Sequence, residues 1–385
     1  MVDHNRVIID VDIPLSDGVT QRVRAWVDNG TTDLWMNQRV AGWMGLDVTC
    51  DGQVCSAPPK SRVVSLEIAI GGMKVSLPAI GEIKVIANNG SLAPGTNAEI
   101  NIPSTVLRNH DVLINFPEQQ LTIGQPGSLK FNGVKSKMFV NPANGLIQIP
   151  ARIENKNYNL GLDVGSAISF LAADLFDKLS TTHPDWPQTT GAIGPANMLG
   201  SQDELKQKLM RVERLQYGPL FLTGVAATAL TGDAKASLEK AAGTATAGLV
   251  GANALTNYRI GLNYAHSAAF FDIGRTFKFP DFDVVGLVLR PQDDGRFSIA
   301  GVADFEGKPS VPEVQAGDFL VAVDGTPVPG STMGQVWLML GGSPGQERLL
   351  TIERGGKQFT VAAKVQHFLG EESGKDESGR RSKKK

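Results

Sequence analysis

The chain is poor in the residues that anchor metal or disulfide frameworks. Among 385 residues there are two cysteines, Cys50 and Cys55, and five histidines, His4, His110, His183, His266 and His367. The histidines are scattered without metal-ligand spacing, and two cysteines cannot complete a tetrahedral zinc site, so no metal and no other cofactor is implied. A disulfide closing the small loop between Cys50 and Cys55 and a pair of free thiols both fit the sequence; the first would favour an oxidising compartment. No apolar run approaches the 18 residues of a membrane span. The opening MVDHNRVIID lacks the basic start and apolar stretch of a secretion signal. Localisation is therefore open, with a periplasmic or secreted site favoured if a leader has been removed. A net charge of −2 gives no electrostatic case for nucleic acid. No G-x-S-x-G element and no glycine loop followed by Lys-Ser/Thr is present.

What the chain has is short β-type runs. With 42% apolar and 20% charged residues it is globular, and 43 glycines and 21 prolines punctuate Val-, Ile- and Thr-rich stretches, which predicts a mainly β fold. Strands are expected near Val7 to Ile13, Val23 to Val27, Val64 to Ile70 and Lys74 to Leu77, the last two joined at Gly71-Gly72. Helices are expected around Asn37 to Met44, Ala172 to Leu179, Gln202 to Val212 and Thr332 to Leu340. The final residues, GEESGKDESGRRSKKK, are charged and predict a disordered tail over 369–385.

One pattern occurs twice: Asp28-Asn29-Gly30-Thr31 and Asp163-Val164-Gly165-Ser166, 163 − 28 = 135 residues apart, each after an alternating apolar run. A second similarity follows each copy. The segment from Thr105 to Gly124 reads like that from Asn253 to Gly274, with Leu107, Asn109, Asn115 and Phe116 matching Leu255, Asn257, Asn263 and Tyr264 at a constant offset of 148. Two elements repeating in one order indicate a duplicated lobe, each bringing one carboxylate to a shared site. Two carboxylates about 3 Å apart cannot both ionise cheaply, so they share a proton. The ionised member can activate water while the protonated one polarises a carbonyl. A lone D-x-G-[ST] is ordinary turn chemistry; two copies in repeated surroundings are far more specific. The glycines allow close approach, and the hydroxyls of Thr31 and Ser166 are expected to bond their own carboxylates.

These residues, together with Leu249-Val250-Gly251 and the Ala252 to Leu255 stretch after it, make residues 1–276 resemble a two-lobed, retropepsin-like aspartic protease of bacterial type. The resemblance implies lobes at 1–126 and 127–276, a catalytic pair Asp28 and Asp163, and support from Gly30, Thr31, Gly165, Ser166, Asn29 and Gly251. It also implies flaps near Cys50 to Cys55 and around Trp186. The family usually has Thr where Asn29 and Val164 stand; Asn can still donate a hydrogen bond and Val cannot. Register with Leu255 also places Asn101, Ile102 and Pro103 where Leu249, Val250 and Gly251 stand, and a proline there is expected to alter the backbone behind Asp28.

Residues 277–368 resemble a PDZ domain, on Val285-Gly286-Leu287-Val288 and the run from Ala316-Gly317-Asp318 to Val323-Asp324-Gly325. That implies a peptide added as a strand beside Leu287 to Leu289, its terminal carboxylate received by N–H groups near Val285 to Leu287, with the helix near Gln335 to Leu338 as the other wall. The expected activity is peptide-bond hydrolysis by a monomer acting on a peptide or protein substrate, with a partner's C-terminus at the PDZ groove. The alternative is a catalytically impaired pseudoprotease that binds peptides or acts as a scaffold.

Overall fold

The computed structural model describes the chain except for residues 1, 16–17, 52–53, 58–66, 78–82, 87–90, 93–94, 198–202, 275–281 and 371–385. It is mainly β, with mixed sheets. Strands Arg6–Pro14 and Thr20–Asp28 form a long antiparallel hairpin, in which inward Val11, Ile13, Val23, Ala25 and Val27 are buried and alternate with more exposed neighbours. Strand Ile100–Pro103 then pairs in parallel with the end of Thr20–Asp28, so that Pro103 lies opposite Asp28. Helix Gln38–Trp43 starts where the sequence predicts, because the Asn37 side chain accepts a hydrogen bond from the Val40 N–H at 3.0 Å. The Gly71-Gly72 turn carries φ of 55° and 84°, joining Glu67–Ile70 to Met73–Ser76. The part of the expected strand at 64–66 lies outside the described residues.

A second sheet contains the same kind of parallel pairing at a strand that ends in an acid. Strand Lys156–Asp163 pairs in parallel with Gly248–Gly251, which places Gly251 opposite Asp163. Its strands run Ile147–Ile153, Lys156–Asp163, Gly248–Gly251, Ser169–Ala172, Leu220–Leu230 and Lys208–Tyr217. Pairing of Ala151 to Ile153 with Leu215 to Tyr217 closes them into a small barrel. The two copies of the longer repeat meet in a third sheet. Strand Asp111–Asn115 pairs antiparallel with Tyr258–Asn263, and Leu113 lies opposite Gly261, its own counterpart at the 148-residue offset.

Two expectations are corrected. The expected helix Gln202 to Val212 is not formed over its described part, 203–212: Glu204–Lys206 makes one 3-10 turn, and Lys208–Tyr217 is a strand paired with Leu220–Leu230 across Gly218 at φ 53°. Leu209, Val212, Leu215 and Tyr217 are buried in that sheet, and their packing overrides the helix-forming charged residues between them. The expected disordered tail starts too early, because Phe368 and Leu369 are buried against Phe282 and Trp337; residues 371–385 lie outside those described.

The C-terminal part forms a separate sheet of Leu287–Pro291, Phe297–Val302, Phe319–Val323, Glu347–Arg354 and Lys357–Lys364, with helix Met333–Leu340 beside it. Thr332 and Gln335 cap that helix reciprocally. Strands Asp283–Val284 and Leu287–Pro291 are separated at Val285 and Gly286. There the backbone passes so close to Phe368 that a Cβ on Gly286 would lie 2.4 Å from its ring.

Candidate functional site

The two Asp-x-Gly turns meet. Each follows the last residue of a buried strand, and each glycine is pressed against the other turn's acid. A Cβ on Gly30 would fall 2.3 Å from Asp163 Oδ2, and one on Gly165 would fall 2.5 Å from Asp28 Oδ1. Only glycine allows this reciprocal approach. The Gly30 N–H donates to Asp28 Oδ1 at 3.2 Å, while the Gly165 and Ser166 N–H groups donate to Asp163 Oδ1 at 2.8 and 3.1 Å.

The serine hydroxyl is not where expected. Ser166 Oγ donates to the Ile168 carbonyl at 2.7 Å, and its main-chain N–H, not its side chain, serves the carboxylate. This hydroxyl holds the turn's shape. Behind the first turn the short helix Ser104–Leu107 plays that part, with Ser104 Oγ and Thr105 Oγ1 donating to the Thr31 and Thr32 carbonyls.

Asn29 spans the junction between the two turns. Its Oδ1 accepts from the Val164 N–H at 2.8 Å and its Nδ2 donates to the Leu162 carbonyl at 2.7 Å. The Trp26 indole N–H donates to the Gly165 carbonyl at 3.2 Å. Val164 offers no polar side-chain return and is fully buried in the core instead. Pro103 keeps the parallel register with Asp28 that Gly251 keeps with Asp163, so the proline is accommodated at the end of its strand. Gly251 itself has no room for a side chain, since a Cβ would lie 2.3 Å from the Ile168 carbonyl oxygen.

Burial pushes both acids above the ordinary carboxylate range, and Asp28 is raised further by the negative charge of Asp163. Four N–H groups in the two turns, those of Gly30, Thr31, Gly165 and Ser166, and one cation work the other way. That cation is Arg6, which the sequence reading did not single out. Its charge acts on both acids and on Asp3. Arg6 donates to His4 Nδ1 at 2.8 Å, its Nε is buried without a hydrogen-bond partner, and its guanidinium lies 6.0 Å from the Trp26 ring centre. No local sequence pattern marks it, because its place beside the acids depends on how the hairpin that pairs Ile8 with Trp26 packs.

No protein-family model matches this chain, and no curated protein does either.

Cys50 and Cys55 form a disulfide across the hairpin of Thr49–Asp51 and Val54–Ala57. Trp186 stacks on His183 with ring centres 4.2 Å apart, beside strand Gln188–Thr190. Among the described residues no three of His, Cys, Asp and Glu gather as a metal centre would need.

The candidate peptide-binding residues Val285, Gly286, Leu287 and Val288 lie beside helix Met333–Leu340 and are buried. The Val285 N–H donates to the Leu340 carbonyl at 3.0 Å and the Leu287 N–H to the Val285 carbonyl at 2.8 Å. These two donors are therefore engaged within the chain.

Proposed function

We propose that the chain is an aspartic-type endopeptidase of retropepsin-like build, with lobes at 1–126 and 127–276 and a PDZ-like domain at 277–368. The observation that carries this reading is the reciprocal approach of Gly30 to Asp163 and of Gly165 to Asp28. Two strand ends, related by a sequence repeat, bring the buried Asp28 and the half-buried Asp163 to one place. Asp163 receives two N–H donors and is the natural ionised member. Asp28, whose Gly30 donor stands farther off at 3.2 Å and whose proton is held by burial and by the neighbouring charge of Asp163, is the natural holder of the proton.

In the reaction, the Asp163 carboxylate takes a proton from a water as that water attacks a peptide carbonyl. Asp28 gives its proton to the carbonyl oxygen, and the tetrahedral intermediate forms without a covalent bond to the protein. Return of a proton to the amide nitrogen releases the two products. Both acids belong to one chain, so a monomer suffices. The Cys50–Cys55 disulfide supports a periplasmic or secreted location.

Arg6 favours a second reading, a peptide-binding pseudoprotease. A fixed cation beside the pair stabilises the doubly ionised state, which has no proton to share. The deciding experiment is digestion of a diverse peptide mixture from about pH 3 to 8, wild type beside Asp163→Asn. Cleavage by wild type alone, blocked by a statine-type transition-state mimic, is the expected result. No cleavage at any pH by a folded wild type would move the conclusion to the pseudoprotease.

A further inference from the structure

Strand Leu287–Pro291 has one edge paired with Phe297–Val302. Its other edge is where an added peptide strand would hydrogen-bond, and that edge is taken. The Asn197 side chain donates through Nδ2 to the Leu287 carbonyl at 3.3 Å and accepts through Oδ1 from the Leu289 N–H at 2.9 Å. A primary amide carries one donor set and one acceptor, the same polar groups as a peptide unit. Asn197 thus occupies the site as a single peptide group of a bound strand would. The ladder cannot extend to Pro291, which has no N–H.

The residues before Asn197 fill the apolar part of the same place. Ala192, Ile193 and Ala196 share one buried cluster with Val288 of the strand, Ala303, and Trp337 of helix Met333–Leu340. At the flank, Glu204 pairs with Arg290 at 2.9 Å. The same segment is tied to the acid pair: the Gly194 carbonyl accepts from His4 Nε2 at 2.9 Å, and His4 Nδ1 accepts from Arg6. His4 also meets the Trp337 ring edge-on at 5.7 Å, and Asp3 Oδ1 accepts from the Gly334 N–H at 2.9 Å.

We propose that the groove between strand Leu287–Pro291 and helix Met333–Leu340 is a binding site for an internal, extended peptide, and that this chain covers it with its own segment 192–197, a 3-10 turn over Gly194–Ala196 after which the Asn197 side chain stands in for one peptide group. An extended peptide supplied by another molecule then binds only by displacing Asn197 from Leu287 and Leu289. The occupant has no free terminus, so recognition there uses main-chain groups and small apolar side chains rather than a C-terminal carboxylate. Displacement also removes the Gly194 carbonyl from His4, so a peptide in the groove alters what holds Arg6 beside Asp28 and Asp163. This rests on the PDZ-like reading of residues 277–368 given above.

The test uses the full chain carrying Asp163→Asn, so that no probe is cut. The probe is a fluorescein-labelled peptide with the sequence of residues 190–197 and both ends capped. Its binding is followed by anisotropy, and exchange of the Leu289 amide by hydrogen–deuterium exchange. Adding Asn197→Ala is expected to tighten probe binding about tenfold or more and to speed Leu289 exchange by a similar factor. Unchanged Leu289 exchange in a folded Asn197→Ala variant would overturn the proposal. Faster exchange with no probe bound would overturn it too, together with the PDZ-like reading, while leaving the peptidase reading to its own cleavage assay. Should Asn197→Ala not fold, Glu204→Gln loosens the same segment at its flank; a smaller shift in the same direction supports the proposal, and no shift in either readout rejects it.

Discussion

Gly30 stands so close to Asp163 that one added carbon would fall 2.3 Å from the carboxylate, and Gly165 stands almost as close to Asp28. Alanine at either glycine must push the opposite acid away. Misplacement of a reacting group by about an ångström costs on the order of 100-fold in rate. Gly30→Ala and Gly165→Ala should each lower kcat/KM by about that factor or more, while costing about 1–3 kcal/mol of stability. Peptide cleavage and thermal unfolding measured on the same preparations separate the two effects. Full activity in either variant would mean that the acids do not act as a pair.

Asp28 should lower stability at neutral pH. Its folded pKa is raised, by burial first and by Asp163 second. Below the ordinary carboxylate range both folded and unfolded chains hold this proton, and Asp28 has no net effect. As pH rises through that range the unfolded chain releases the proton first, the folded chain binds more protons, and stability falls. Asp28→Asn removes the loss while Arg6 keeps Asp163 as a partner. The variant should therefore gain Tm relative to wild type at pH 7 and lose that gain near pH 3. A Tm difference that does not change with pH would contradict the assignment.

Arg6 lowers the proton affinity of both acids. Arg6→Gln should move both limbs of the pH–rate profile towards higher pH, since each acid then holds its proton longer. A purely structural role would reduce the rate without displacing the limbs. The profile of kcat/KM against pH, wild type beside the variant, tells the two apart.

Asn29 satisfies the buried Val164 N–H and the Leu162 carbonyl at once. Asn29→Val leaves both without that partner, and a buried unsatisfied polar group costs about 1–3 kcal/mol. Asn29→Thr restores a hydroxyl that can both donate and accept, so it should cost less than the valine change. Chemical denaturation of the three proteins gives the order; equal losses would show that the bridge contributes little.

Much of the fold was legible because it is written in local pattern. Alternating apolar residues mark the strands before Asp28 and Asp163, and Asn37 and Thr332 mark helix starts by capping chemistry that acts over three residues. The repeat at an offset of 148 was legible too, and in the fold it sets Leu113 against Gly261. Local pattern misled where long-range pairing decides the outcome. The charged stretch Gln202 to Val212 suits a helix until Leu220–Leu230 offers its later part a strand partner. The Ser166 hydroxyl was assigned to a carboxylate by nearness in sequence, yet the turn's backbone takes that role and leaves the hydroxyl to Ile168.

Residue type and spacing were enough to single out Asp28, Asp163 and their glycines, because a tight acid turn needs an acid and a glycine two positions apart. Only the tertiary structure could bring in Arg6, His4 and Asn197. Arg6 reaches the acids across a hairpin, and His4 meets Gly194 over 190 residues of intervening chain. Asn197 finds the edge of strand Leu287–Pro291 from a loop some 90 residues earlier. Those contacts depend on which surfaces pack against each other, and that is set by the summed burial of distant apolar faces rather than by any short run of residues.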